Sequence, residues 1–121
     1  SNDGASIIAA SSVASFRGIP SLTAYGASKS ALNVAIKTLS LELASKKIRV
    51  NGIAPGYVNT EMNSNTKNKL PQGAFEKILN EHPLGIGKPR DISNLVAFLL
   101  GNESKWITGT TIPIDGGFLA K

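Results

Sequence analysis

The feature that most constrains the fold is an apolar segment, a long helical pattern and a second apolar segment that follow one another along the chain. Residues 6–10 lack polar alternation, which predicts a strand covered on both faces. Apolar residues at helical spacing from about Ala24 to Leu43 predict a long helix, and residues 48–54, which stop at Pro55-Gly56, predict a second strand. Such a strand–helix–strand unit requires parallel strands joined by a right-handed crossover.

The second half of the chain extends this pattern. Residues 57–88 are richer in Asn, Lys and Gly and predict one short helix around residues 74–79, while residues 92–100 predict an amphipathic helix with Asp91 in its first turn and Gly101 as its cap. Residues 110–114 predict a third strand, which Pro113 places at a sheet edge. We therefore expect a three-layer α/β fold with a three-stranded parallel sheet of Rossmann type and two to three helices.

Composition excludes several function classes. A chain of 121 residues has room for about one domain. With no cysteine and one histidine, disulfides, thiolate metal sites and multi-histidine metal sites are ruled out, and no metal is expected. No stretch approaches the length of a membrane span and no signal-peptide pattern is present, which predicts a cytoplasmic protein without a membrane partner.

The net charge of +5 raises the question of nucleic-acid binding. The lysines are spread along the chain without interleaved aromatic residues, so the pattern of a single-strand binder is missing. A basic module would need a positive face built from Lys37, Lys46, Lys47 and Arg49, and its binding would depend steeply on salt. We rank this function last and expect no nucleic-acid partner.

Three residues could carry chemistry together. Tyr25 and Lys29 are four positions apart in the opening of the long helix, so both project from one face, and a cation beside a phenol favours the phenolate that acid–base catalysis needs. Ser12 lies in the loop after the first strand, thirteen residues before Tyr25, where its hydroxyl could donate to a carbonyl or alkoxide oxygen. Each feature alone is more often an ordinary helix pair or a loop serine.

The motifs taken in order are more specific than any one of them. They resemble the classical short-chain dehydrogenase/reductase family over nearly the whole chain. The matching segments are Ala10-Ser11-Ser12, Tyr25-Gly26-Ala27-Ser28-Lys29, Ile48-Arg49-Val50-Asn51-Gly52-Ile53-Ala54-Pro55-Gly56, Thr60-Glu61-Met62, Ile107-Thr108-Gly109-Thr110 and Asp115-Gly116-Gly117.

This resemblance implies a function and a role for each matching residue. The reaction would be NAD(P)-dependent hydride transfer between an alcohol and a ketone, with Tyr25 as general acid/base and Ser12 hydrogen-bonded to the substrate oxygen. Lys29 would favour the tyrosine phenolate and bind the nicotinamide ribose. The cofactor, NAD or NADP, would contact Tyr25, Lys29, Pro55, Gly56, Val58 and Thr60, and the segment after Met62 would cover the substrate.

One departure from the family pattern is large. The glycine-rich turn that cradles the pyrophosphate has no counterpart, so residues 1–121 resemble the carboxyl-terminal half of a single NAD(P)-binding Rossmann domain. We therefore expect the isolated chain to be inactive. Within the family, the sequence is similar to 3-oxoacyl-carrier-protein reductases and to sugar or polyol dehydrogenases. It does not indicate which of these substrates is used, or whether the cofactor is NAD or NADP. The alternative is a truncated, non-catalytic fragment that serves only as a fold or oligomerisation piece.

The remaining candidates have structural interpretations. His82 is predicted to be a surface or loop residue, and Arg17 to be a solvated loop arginine. Trp106 is predicted to pack in the core or at a subunit interface. The family resemblance also implies a homo-oligomer, a dimer or tetramer, in which one helix face at residues 31–43 and residues 106–118 meet other chains.

Overall fold

The computed structural model describes residues 4–61 and 70–120. It contains a three-stranded parallel sheet in the order β1-β2-β3. In chain order, the strands and α-helices with described bounds are β1 (Ala5–Ala10), α1 (Thr23–Leu43), β2 (Ile48–Pro55), α2 (Ala74–Asn80), α3 (Pro89–Leu100) and β3 (Thr111–Ile114). The predicted Rossmann-type α/β fold is confirmed, with each predicted strand and helix found within a few residues of its expected bounds.

The central strand β2 is the one covered on both faces. Consecutive residues from Val50 to Ala54 are buried, which requires packing on both sides of the strand. The prediction that β1 is covered on both faces is wrong, because no residue of the strand is fully buried and Ile7 is 46% exposed. In the described sheet β1 pairs only with β2 and lies at an edge, so its apolar residues have fewer partners.

The two long helices lie on opposite faces of the sheet. On one face, a Cβ built on Gly52 would lie 2.6 Å from Cδ1 of Ile36 in α1, so the helix packs directly on β2. On the other face, Arg49 and Ser6 reach the end of α3, each donating to the Leu99 carbonyl at 2.8 Å. Positions 49 and 52 of one strand point to opposite faces. The three-layer arrangement is therefore confirmed.

The bounds of α3 follow from its capping residues. The Asp91 carboxylate accepts the Lys88 N–H at 2.8 Å, and Pro89 occupies the first helical position, where no N–H is needed. Gly101 ends the helix as predicted, although with φ −89 rather than in the left-handed region. The side chains of Arg49 and Ser104 donate to the Gly101 carbonyl instead, so this carbonyl at the helix end has hydrogen-bond partners.

The third strand completes the described sheet. Pro113 lies opposite Ala54 in the pairing of β3 with β2, and β3 is the other edge of the described sheet, as its proline predicts. Across residues 4–61 and 70–120, no helix has the length and apolar character that crossing a bilayer requires. The parallel strands bring their carboxyl ends to one edge of the sheet, where ligands bind in open α/β folds.

Candidate active site

The carboxyl ends of β1 and β2 gather the residues that the sequence singled out. Ser12 follows β1 by two positions, and Gly56 follows β2 directly. Together with Pro55 they line one cavity of about 670 Å³. The first turn of α1, which begins at Thr23, carries Tyr25. Three separate stretches of chain thus meet at this end of the sheet.

Ser12 has a defined orientation. It is 9% exposed and caps a 3-10 turn at Val13–Ser15, where its Oγ accepts the Ala14 N–H at 3.1 Å. This contact uses the oxygen as an acceptor, so the hydroxyl hydrogen can be donated to a substrate oxygen. The capping interpretation and the catalytic interpretation are therefore compatible in the same side chain.

A half-buried polar network, which the sequence analysis missed, holds the Ser12 loop against α1. Ser15 Oγ donates to the Ser12 carbonyl at 2.6 Å, and Asn33 Nδ2 from α1 donates to Ser15 Oγ at 2.7 Å. Ser30 Oγ adds a bond to the Ser15 carbonyl at 3.1 Å. Bonds between side chains distant in sequence fix the loop position relative to the helix. The only sequence signal was the cluster of serines, which a loop explains equally well.

Tyr25 and Lys29 face each other on α1, as their spacing predicts. Lys29 Nζ lies 5.7 Å from the centre of the Tyr25 ring and donates to the Ala10 carbonyl at the end of β1 at 2.9 Å. The Tyr25 side chain remains accessible, with the residue 45% exposed. Among the hydrogen bonds between described residues, none joins Tyr25 to Ser12.

Gly26 lets α1 approach the Ser12 loop. A Cβ at this position would lie 3.0 Å from the Ala14 carbonyl oxygen, closer than ordinary van der Waals contact. Ala14 belongs to the 3-10 turn that Ser12 caps. The glycine next to Tyr25 therefore sets how near the first turn of α1 lies to the serine loop.

The turn after β2 is held by backbone bonds on both sides. The Gly56 N–H donates to the Ile114 carbonyl at 3.0 Å, and the Asn59 N–H donates to the Gly87 carbonyl at 2.8 Å. Four of the residues that the resemblance assigns to the cofactor line one shallow cavity of about 690 Å³, namely Pro55, Gly56, Val58 and Thr60. Tyr25 and Lys29 are not among the lining residues of that cavity. The cofactor candidates therefore fall into two groups.

His82 is more buried than a surface residue, and Arg17 makes contacts that the sequence did not predict. His82 lies in the turn after α2, so the loop alternative of its prediction is confirmed, but the residue is only 5% exposed. Arg17 is an exposed loop arginine, as predicted, and its Nη2 lies 3.3 Å from Glu81 Oε2 while its guanidinium lies 4.5 Å from the centre of the Phe118 ring. Both line the cavity that contains Ser12. Local sequence gave no sign that Phe118, about a hundred positions away from Arg17, would cover them.

Trp106 was predicted to pack either in the core or at a subunit interface, and the first of these predictions is wrong. It is 96% exposed, so it does not pack in the core of this chain. The segment after Met62 that the resemblance assigns to the substrate falls in part outside the described residues, at positions 62–69. Within the described ranges, no group of three or more His, Cys, Asp or Glu side chains could hold a metal ion.

The geometry defines a class before any comparison is made: a Rossmann-type α/β protein with a serine, a tyrosine and a lysine at the carboxyl ends of its strands. Residues 1–119 match the family model described as enoyl-(acyl carrier protein) reductase. The chain belongs to this family of short-chain dehydrogenases/reductases. Sequence and structure comparisons agree with that assignment.

Two kinds of relatives illustrate the match. The 3-oxoacyl-[acyl-carrier-protein] reductase FabG of Thermotoga maritima is 43% identical over 115 residues, covering 94% of this chain and 45% of the relative. A short chain dehydrogenase family protein from Francisella tularensis superposes with a TM-score of 0.83 at 38% identity, covering 98% of this chain and 52% of that one. The structure of ElxO with NADP bound gives 0.87 at 30% identity, covering 96% and 47%. The chain spans about half the length of the curated relatives it matches.

Proposed function

We propose that these residues form the catalytic part of an NAD(P)-dependent oxidoreductase that interconverts a ketone and an alcohol. The observation that carries the proposal is the position of Lys29, whose ammonium is bonded to the Ala10 carbonyl at 2.9 Å while facing the Tyr25 ring. This contact places a fixed positive charge between the end of β1 and an accessible phenol. Ser12 lies two residues beyond Ala10.

Each of the three residues has a separate task. Tyr25 gives or takes the proton of the substrate oxygen, which its accessible hydroxyl can reach. Ser12 donates its hydroxyl hydrogen to the same oxygen, since its own oxygen is held by the Ala14 N–H. Lys29 places its ammonium beside the Tyr25 ring and would donate to hydroxyl groups of the nicotinamide ribose.

The turn after β2 fits the nicotinamide end of a dinucleotide. Gly56 lets the turn pack closely on its neighbours, since a Cβ there would lie only 2.9 Å from His82 Nε2 and 3.0 Å from Cα of Asp115. Pro55, Val58 and Thr60 line the same shallow cavity as Gly56. A bound NAD or NADP would supply the hydride-transfer chemistry. The solved relative ElxO holds NADP, which supports the proposal for this cofactor class.

The substrate proposed is a 3-oxoacyl thioester, the class named for the FabG relatives. The cavity that contains Ser12 has a volume of about 670 Å³ and a wall that is mainly apolar, with Val13, Ile19, Leu22, Ile78 and Phe118 among its lining residues. An acyl chain fits such a surface better than a polyol does. Sugar and polyol alcohols are the competing substrates.

The test is an assay of the gene product that carries this chain, with NADH and NADPH and with 3-oxoacyl thioesters and polyols. Tyr25→Phe should remove nearly all turnover and leave dinucleotide affinity close to wild type, because only the phenolic hydroxyl is lost. Ser12→Ala should lower turnover by about 100-fold, in the range for one oxyanion donor. Ser45→Ala is the control, since its exposed side chain lies in the 3-10 turn after α1, at the opposite end of the helix from Tyr25. Turnover by Tyr25→Phe within about tenfold of wild type would refute the role of Tyr25.

We also propose a cytoplasmic homo-oligomer. The strongly exposed large apolar side chains include Leu41 at 79% and Val34 at 62% on α1, and Trp106 at 96% before β3. Exposed apolar surface of this kind is typical of a chain interface. A sequence without cysteine requires no oxidising compartment. Sedimentation at micromolar concentration should show a dimer or tetramer, and a strict monomer would contradict the proposal.

The same interfaces would remain if the chain acted only as a non-catalytic oligomerisation piece, and the turnover assay separates the two functions.

A further inference from the structure

We propose that His82 is a positioning residue that holds the turn after β2 in its cofactor-binding conformation. The inference rests on the proposed function, since it concerns the turn assigned to the nicotinamide. It does not follow from the family motifs, which do not include His82. It follows from the contacts of a side chain that is buried although it lies in a loop.

The hydrogen bonds of the ring define its tautomer. Nδ1 lies 2.6 Å from the Ile78 carbonyl oxygen, and Nε2 lies 3.1 Å from the Tyr57 backbone nitrogen. A carbonyl can only accept and an amide N–H can only donate, so the hydrogen must be on Nδ1 and the lone pair on Nε2. The neutral ring thus connects the last turn of α2 to the backbone of the turn after β2.

The surroundings of the ring leave little freedom to either partner. The Phe118 ring lies against it, with centroids 5.0 Å apart and planes tilted by 32°. On the side of the turn, Gly56 is so close that a Cβ there would lie 2.9 Å from Nε2. His82 therefore acts as a buried support against which residues 56 and 57 rest.

This support lies between the two cavities of the site. His82 and Tyr57 line the cavity that contains Ser12, whereas Gly56 lines both that cavity and the one shared with Val58 and Thr60. Loss of the Nε2 acceptor would free the Tyr57 amide and let the Gly56 backbone move. A turn that moves should bind the nicotinamide end less tightly and affect the chemical step less.

Two amide substitutions separate this role from simple packing. In His82→Gln the side-chain oxygen can reach the former position of Nε2 and accept the Tyr57 N–H. In His82→Asn the shorter amide can occupy only the region of Nδ1, near the Ile78 carbonyl. Both variants lose the ring contact with Phe118, so their thermal stabilities should fall together and they control for each other.

The first readout needs no cofactor. Hydrogen exchange of the Tyr57 amide in the full gene product should be at least tenfold faster in His82→Asn than in His82→Gln at matched stability. The second readout is kinetic: the KM for the dinucleotide should rise at least tenfold in His82→Asn, with kcat lowered less, and stay within about threefold of wild type in His82→Gln.

Each outcome decides the proposal. Equal exchange in the two variants would overturn it, and so would faster exchange in His82→Asn with an unchanged KM for the dinucleotide, because His82 would then serve the fold alone. A wild-type gene product that binds neither NAD nor NADP would refute the proposed function and this inference with it. The exchange data would still show whether His82 holds the turn, so the two failures are distinguishable.

Discussion

Replacing Gly26 by alanine should separate stability from activity in this protein. The new Cβ would lie 3.0 Å from the Ala14 carbonyl oxygen, and this neighbour is backbone rather than a flexible side chain. Relief of that contact requires a movement of a few tenths of an ångström between the first turn of α1 and the 3-10 turn. These are the two segments that carry Tyr25 and Ser12.

The magnitudes of the two opposing effects can be compared. Alanine in place of glycine inside a helix contributes about 1 kcal/mol of stability. Overpacking in a close contact costs about 1–3 kcal/mol, and the lower part of that range applies because the required shift is small. The net loss in the free energy of unfolding should therefore be no more than about 1 kcal/mol. Turnover should fall by about 10- to 100-fold, because misplacement of catalytic groups by up to about 1 Å has effects of that size.

The assay measures two quantities for each variant of the gene product: its turnover and the denaturant concentration at the midpoint of unfolding. Gly101→Ala is the matched control, since its Cβ would make ordinary contacts of 3.5 Å or more at φ −89, far along α3 from the site. The control should keep wild-type turnover. Full activity in Gly26→Ala would refute the argument that this glycine sets the distance between helix and serine loop. Loss of folding in Gly26→Ala would show that the contact belongs to the core instead.

Three further predictions concern other parts of the chain. Lys29→Ala should lower both kcat and dinucleotide affinity, and unchanged affinity in titration would remove its ribose-binding role. Arg49→Leu should reduce the free energy of unfolding by about 1.5–3 kcal/mol in denaturant titration, the usual contribution of charged hydrogen bonds. A larger loss is not expected, because other side chains also donate to the carbonyls that Arg49 binds. Ser104 donates to the carbonyls of residues 99 and 101, and Asn51 donates to the carbonyl of residue 107. Residues 1–121 alone should show no NAD or NADP binding in calorimetry, and micromolar affinity would contradict the argument from the absent glycine-rich turn.

The order of helices and strands was predictable because it depends on local patterns. The spacing of apolar residues defined α1, and Pro55-Gly56 marked the end of β2. Asp91 and Gly101 set the two ends of α3 through capping contacts within a few residues. The facing of Tyr25 and Lys29 is likewise local, since it follows from helical geometry alone.

Burial was harder to predict because it depends on residues far apart in sequence. His82 was predicted to be a surface or loop residue, and it does lie in a loop, but Phe118 covers its ring. The apolar sequence of β1 suggested two covered faces, whereas its exposure follows from its place at an edge of the described sheet. Neither the partner nor the edge position can be read from the residues of the segment itself.

The polar contacts of Lys29 show why the site needs more than a tyrosine and a lysine at helical spacing. An ammonium has three donors, and one of them is committed to the Ala10 carbonyl at the end of β1. That bond fixes the charge relative to the sheet, so less side-chain entropy remains to be lost when a ligand binds. The other two donors can face the phenol and a ribose hydroxyl. A Tyr-x-x-x-Lys pair on a surface helix has no strand end beside it, which explains why the same spacing elsewhere is an ordinary helix pair.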